Sequence, residues 1–242
     1  MNFIINFIRK EEERKQIEVV AYSNGVKYVI ENDPLVARTF HTFFKPLNNE
    51  QILKLEDDVN NVQKAKYVFP KWYIEFLKTT NGLNIFINSI SLFGEQTPIV
   101  ENKKIGKTEL LLERENIEWL APYNLRYSNS VKFSEEAQNR WLVIGNYKYD
   151  GTHIAWDFKT KKIIAMYALP ATTSLKKLKK MKECDYESMI ICEWDNFESF
   201  FVTETERLSK IFESYTDLTQ IKNYDAILEK KTLPISHKEH VC

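Results

Sequence analysis

The pattern of apolar and polar positions marks two strongly ordered stretches with weaker ones around them. The first runs from Phe69 to Gly94, FPKWYIEFLKTTNGLNIFINSISLFG. Trp72, Tyr73, Phe76 and Leu77 recur at helical spacing, which predicts a helix with one apolar face. Pro70 stands where a first-turn proline is tolerated, because its missing N–H has no intrahelical partner. Asn81-Gly82 stops the helix, since glycine takes the left-handed C-terminal conformation without a Cβ penalty. Leu83, Ile85 and Ile87 then alternate and Ile90, Leu92 and Phe93 continue the run, so the helix is expected to feed one strand.

The second stretch is Trp141 to Tyr167, WLVIGNYKYDGTHIAWDFKTKKIIAMY. Trp141 to Ile144 has the composition of a buried strand, and Asp150-Gly151 is a hairpin-turn dipeptide. Thr152, Ile154 and Trp156 alternate with His153, Ala155 and Asp157. A further turn falls at Lys159 to Lys162, and Ile163 to Tyr167 completes an antiparallel meander of three strands.

Around these two stretches the pattern is weaker. Asn2 to about Val20 reads as a helix with Phe3, Ile4, Phe7, Ile8 and Ile17 on one side. Packing on the domain is favoured over a free partner-binding arm. Val26 to Ile30 has strand composition, and Leu35 to Phe44 does not separate helix from strand. Asn48 or Asn49 is placed to cap a helix carrying Ile52, Leu55 and Val59, with Glu56, Asp57 and Asp58 outward or sideways. Glu95 to Lys107 reads as a loop and Glu109 to Leu120 as a helix. Met189 to Trp194 is expected as a last edge strand and Asn196 to Phe212 as a closing helix. The tail from Lys230 is expected to be mobile. The expected architecture is α+β, an antiparallel-dominated twisted sheet with helices packed mainly on one face.

Composition narrows the class. The chain has 242 residues, 43% hydrophobic and 28% charged, with a formal net charge of zero. No global field therefore draws it to nucleic acid or to an anionic membrane. Three cysteines, Cys184, Cys192 and Cys242, are too few for a disulfide framework and suit a reducing, cytoplasmic compartment. The opening apolar run is short and is followed directly by charges, so it reads as a helix and not a signal peptide. No segment approaches the roughly 18 to 20 apolar residues of a membrane span.

Residues that carry chemistry are sparse. His237, His240 and Cys242 lie together in the final residues, but a tail is a poor frame for a metal, and His41 and His153 have no ligand partner nearby in sequence. Asp150, His153 and Asp157 are close in the meander without a nucleophile. No glycine-rich phosphate loop occurs. Neither a metal nor a cofactor is expected, and the chain does not read as an enzyme.

Charge is the one anomaly. Lys159, Lys161, Lys162, Lys176, Lys177, Lys179, Lys180 and Lys182 form a basic block with no acid between them. Glu183, Asp185, Glu187, Glu193, Asp195, Glu198, Glu204 and Glu206 follow as an acidic block with no base between them. Such neighbouring blocks are either solvated surface or two patches that steer a partner.

Taken together, EQILKLEDDV, FPKWYIEFLKTTNG, ISLFG, WLVIGNYKYDGTHIAWD and WDNFESFFVTETERLSKIF resemble, in order and spacing, the SUKH superfamily, the Smi/Knr-type domain. The resemblance covers about Leu47 to Phe212. It departs at the opening 45 or so residues and at the lysine-rich insertion before the last strand. The chain then divides into an N-terminal helical extension over 1–46 packed on the domain, the SUKH-like domain over 47–229 that the resemblance implies, and a mobile tail over 230–242. The resemblance also implies a non-catalytic protein-binding module. Bacterial members look like immunity proteins that bind and neutralise a cognate toxin, and fungal relatives act as general interaction scaffolds. Candidate contacts are the hairpin residues Tyr147, Tyr149 and Asp150 and the acids Glu183, Asp185, Glu187, Glu193, Asp195 and Glu198. An acidic surface of that kind suits a basic toxin.

Overall fold

Among the described residues, nine strands follow one another in chain order across a single antiparallel sheet, each hydrogen-bonded to its sequence neighbours. The computed structural model describes residues 1–13, 17–21, 27–31, 39–86, 89–95, 133–134, 137, 139–147, 151–169, 173–213 and 230–235. The strands are β1 (Ile17–Ala21), β2 (Lys27–Glu31), β3 (Thr39–Phe43), β4 (Leu83–Ile85), β5 (Ile90–Leu92), β6 (Trp141–Tyr147), β7 (His153–Asp157), β8 (Lys162–Met166) and β9 (Ile190–Trp194). The helices are α1 (Asn2–Glu12), α2 (Asn49–Gln63), α3 (Lys71–Thr79), the short α4 (Leu175–Leu178) and α5 (Glu183–Glu187), and α6 (Phe197–Glu213). The protein is α+β.

The four longer helices supply one large core. Ile4 and Phe7 of α1, Ile52, Leu55 and Val59 of α2, Tyr73, Phe76 and Leu77 of α3, and Phe197, Phe200, Phe201 and Leu208 of α6 are all buried in it. From the sheet it receives Leu142, Ile144, Ile154, Trp156, Ile163, Ala165 and Trp194. Intervening strand residues Trp141, Val143, Ala155, Ile164 and Met166 join a smaller core with Phe133 and Tyr186 of α5. The alternation along β6, β7 and β8 therefore feeds two clusters, as side chains of period two must.

Several local signals act as their chemistry requires. Asn48 caps α2 by accepting the Gln51 N–H, while Gln51 returns the favour to the Asn48 N–H. Gly82 takes φ +78° after α3. The acidic face of α2 is not all outward: Glu56 accepts the Phe69 N–H, and Asn60 exchanges two bonds with the Tyr67 backbone, fixing the link between α2 and α3.

The opening segment differs from the expectation. Its helix ends at Glu12, and Ile17–Ala21 is a strand, paired with β2. Through β3 and β4 this strand pair is continuous with the rest of the sheet. The helix itself packs: Ile4 is buried, Phe3 meets Phe197 and Phe201, and Phe7 meets His41, Phe86 and Phe201. Glu11, fully buried, bonds the His41 Nε2 at 3.0 Å, and His41 Nδ1 accepts the Phe86 N–H.

The single strand expected after α3 is a hairpin, β4 and β5, with Ile85 opposite Ile90. The chain turns at Phe86, whose φ of +52° is uncommon for an aromatic residue. Two features hold it there. The Phe86 carbonyl accepts both the N–H and the hydroxyl of Ser89, and its ring is buried against Phe7 and Phe212. The expected loop over Glu95 to Lys107 lies, after Glu95, outside the described residues, as does the expected helix over Glu109 to Leu120.

Part of the supposed tail is also packed. Thr232 and Pro234 are buried, and Arg207 on α6 donates to the carbonyls of Lys231 and Thr232. Residues 236–242, with His237, His240 and Cys242, lie outside the described residues.

Candidate partner-binding surface

The acidic block is carried by α5, β9 and α6, three elements held down by their apolar partners. Tyr186 of α5 is buried between Trp141 and Phe133, and its hydroxyl accepts the Ser134 N–H at 3.0 Å. Ile190, Ile191, Cys192 and Trp194 are buried along β9, leaving Glu193 exposed. Asn196 then caps α6, accepting the Ser199 N–H at 2.8 Å, with Phe197 and Phe200 buried behind it.

Arg140, at the entrance to β6, organises the first half of the block. Its Nε and Nη2 donate to the Asp157 carboxylate, and its Nη1 donates to both Glu183 and Glu187. The guanidinium also lies 4.4 Å from the centroid of the Trp141 ring. Lys159 adds a bond of 3.0 Å to Glu183. Burial alone would raise the Asp157 pKa, but hydrogen bonds from Arg140 and from the Lys159 and Thr160 backbone bring it below its ordinary value. The Lys159 bond, followed by the charges of Arg140 and Lys159, likewise lowers Glu183. Burial opposes the charge on Arg140, yet its carboxylate partners raise its pKa. Glu183 and Glu187 are therefore committed to an internal ion network.

The second half is more open. Lys162 bonds Glu193 at 2.8 Å and lies 3.8 Å from Asp195. Asp195 is nonetheless 87% exposed, and Glu198 is exposed beside it in the first turn of α6. Asp185 is exposed too, but its Oδ2 accepts the Lys182 N–H at the start of α5. Ion pairs between the opposite blocks thus form at Lys159 and Lys162 and at no other lysine of the block among the described residues.

Tyr147 requires a correction. It was expected on an exposed hairpin and is 0% exposed. The reason is a bulge in β6 between Val143 and Gly145, which shifts the pairing with β7 by one residue. Tyr147 thereby turns onto the large core, where its hydroxyl donates to Glu204 Oε2 at 2.8 Å. Glu204, counted in the acidic block, is buried as well and is paired with Arg207 at 2.6 Å. Burial, and then the neighbouring Glu204 charge, hold the Tyr147 pKa well above its ordinary value. Tyr149 and Asp150 lie outside the described residues.

The Asp150–His153–Asp157 set loses its middle member to the core. His153 is buried, and burial pushes its pKa down to about 3. Asp157 is taken by Arg140. Among the described residues Arg140 has no local ion-pair partner, since its carboxylates stand 17, 43 and 47 residues away and meet it only through the fold. The i, i+3 spacing of Glu204 and Arg207 is the one local signal that was available. Among the described residues no group of three or more His, Cys, Asp or Glu side chains is placed to hold a metal ion. No helix there is long and apolar enough to cross a membrane. No family model, no curated protein and no solved structure matches this chain.

Proposed function

We propose that this chain is a non-catalytic protein-binding module of the SUKH type, an immunity protein that neutralises a cognate bacterial toxin by covering its active site. The observation that carries the reading is the run of exposed acids Glu193, Asp195 and Glu198 along the end of β9 and the start of α6. Trp194, Phe197 and Phe200 are buried directly beneath it, so the carboxylates project from a backbone that loses little freedom on binding. Complementary charge on a basic toxin would raise the association rate and suppress wrong partners. The sequence stretches that resemble the family also fall on elements that all contribute to the large core: α2, α3, β5, β6, β7 and α6.

The test is co-expression. Reading frames beside this gene that end in a toxin-like domain are expressed in a sensitive host, with and without this protein. The reading predicts that one such domain kills and that this protein rescues growth. If no neighbouring domain is toxic, or if toxicity persists in the presence of this protein, the general scaffold reading replaces it.

A further inference from the structure

The acidic cluster leaves the other half of the charge anomaly unused. Lys176, Lys177, Lys179, Lys180 and Lys182 are all exposed, and among the described residues none of them forms an ion pair. Their block-mates Lys159 and Lys162 are both taken by carboxylates. Within this unneutralised group lies an open groove of about 430 Å³, lined by Leu169, Lys177, Lys180, Met181, Asp185 and Met189. Leu169, Met181 and Met189 are half-buried and pack against the smaller core. Asp185 is the one carboxylate in the lining among the described residues, and it already accepts the Lys182 N–H at 2.7 Å.

We propose that this groove is a docking site for an acidic peptide segment of a partner protein, with one apolar side chain seated on Leu169, Met181 and Met189 and flanking carboxylates on Lys177 and Lys180. The charge of the occupant follows from the lysines. Its peptide nature follows from the floor, since a phosphate backbone has no use for an apolar seat. Among the described residues the lining also holds no aromatic ring on which a base would stack. A membrane surface fits less well, because α4 spans only Leu175–Leu178 and offers no extended amphipathic face. Methionine suits a seat that must accept several side chains, being unbranched and polarisable. This site is distinct from the acidic cluster and does not depend on the toxin reading.

A phage-displayed library of random peptides, panned against the full chain and against Lys177→Glu/Lys180→Glu, tests it. Enriched peptides are then measured by fluorescence anisotropy across a salt series. The proposal predicts enrichment of peptides in which acidic residues flank an apolar one. It predicts affinity about tenfold weaker for the double lysine variant, with a flatter salt dependence. It also predicts that Met189→Gln weakens binding while leaving the salt dependence unchanged. Urea unfolding of each variant confirms that the fold is intact. Three results overturn it: equal enrichment on the double variant, enriched peptides without acidic residues, or tighter binding of single-stranded DNA or phosphatidylserine vesicles than of the best peptide at the same salt.

Discussion

Tyr147 and Glu204 are 57 residues apart in sequence and 2.8 Å apart in the fold, and their bond lies wholly inside the core. Tyr147→Phe removes the donor and leaves a buried carboxylate with Arg207 as its remaining side-chain partner. The expected cost is about 1–3 kcal/mol of stability, read as a lower urea midpoint, with partner binding unchanged. A loss of binding at unchanged stability would restore Tyr147 to the surface. His153 gives a second test. Its folded pKa of about 3 lies below the unfolded value of 6.5, so in that window only the unfolded chain takes up the proton. Stability is therefore full above pH 6.5 and falls as the pH drops, by up to about 1.4 kcal/mol per pH unit from this one group. Asp157 and Glu183, whose pKa values are lowered in the fold, add to the loss only near and below their ordinary range. Urea midpoints between pH 7 and pH 5 should decline in the wild type and decline less in His153→Gln. Equal slopes would contradict the burial of a neutral imidazole.

At the scale of elements, α1 is expected to be a working part of the core. Ile4 is fully buried, and Phe7 touches rings from β3, the β4–β5 turn and α6. Ile4→Ala should cost about 2–5 kcal/mol in urea unfolding, the usual range for truncating a buried aliphatic side chain. A variant as stable as the wild type would return α1 to the role of a free arm. Elements with a long, clean period were legible: α3, α6 and the β6–β7–β8 meander all stand where their patterns put them. Two features were not. The break between β4 and β5 depends on Phe86 adopting a positive φ, which its side chain gives no hint of and which distant partners His41 and Phe212 support. The bulge in β6 places Ile144 between two paired residues and so reverses the facing of Tyr147. A strict two-residue alternation reads that position wrongly. Gly145 permits the local approach, since a Cβ there would collide with the Ser91 carbonyl and the Leu92 side chain.

At the scale of the whole molecule, the charge blocks were visible as runs, but their neutralisation was not. Arg140 reaches Glu183 across 43 residues and Glu187 across 47, pairings that no spacing rule announces. Of the two blocks, what stays on the surface among the described residues is the run of acids at β9 and α6 and the basic groove at α4 and α5. On the proposed function, the acids at β9 and α6 capture a toxin. The most direct test of this capture uses the full chain as bait against the native host's cytoplasm and secretome, at low and at moderate salt. The bait is run beside Asp195→Lys/Glu198→Lys, whose urea midpoint should match the wild type within about 0.5 kcal/mol because both sites are exposed. The wild type should retain a single partner carrying a toxin domain, and the double variant should lose it, most sharply at low salt, where the charges are least screened. Several weak, salt-sensitive partners without toxicity, or equal capture by both baits, would contradict this reading.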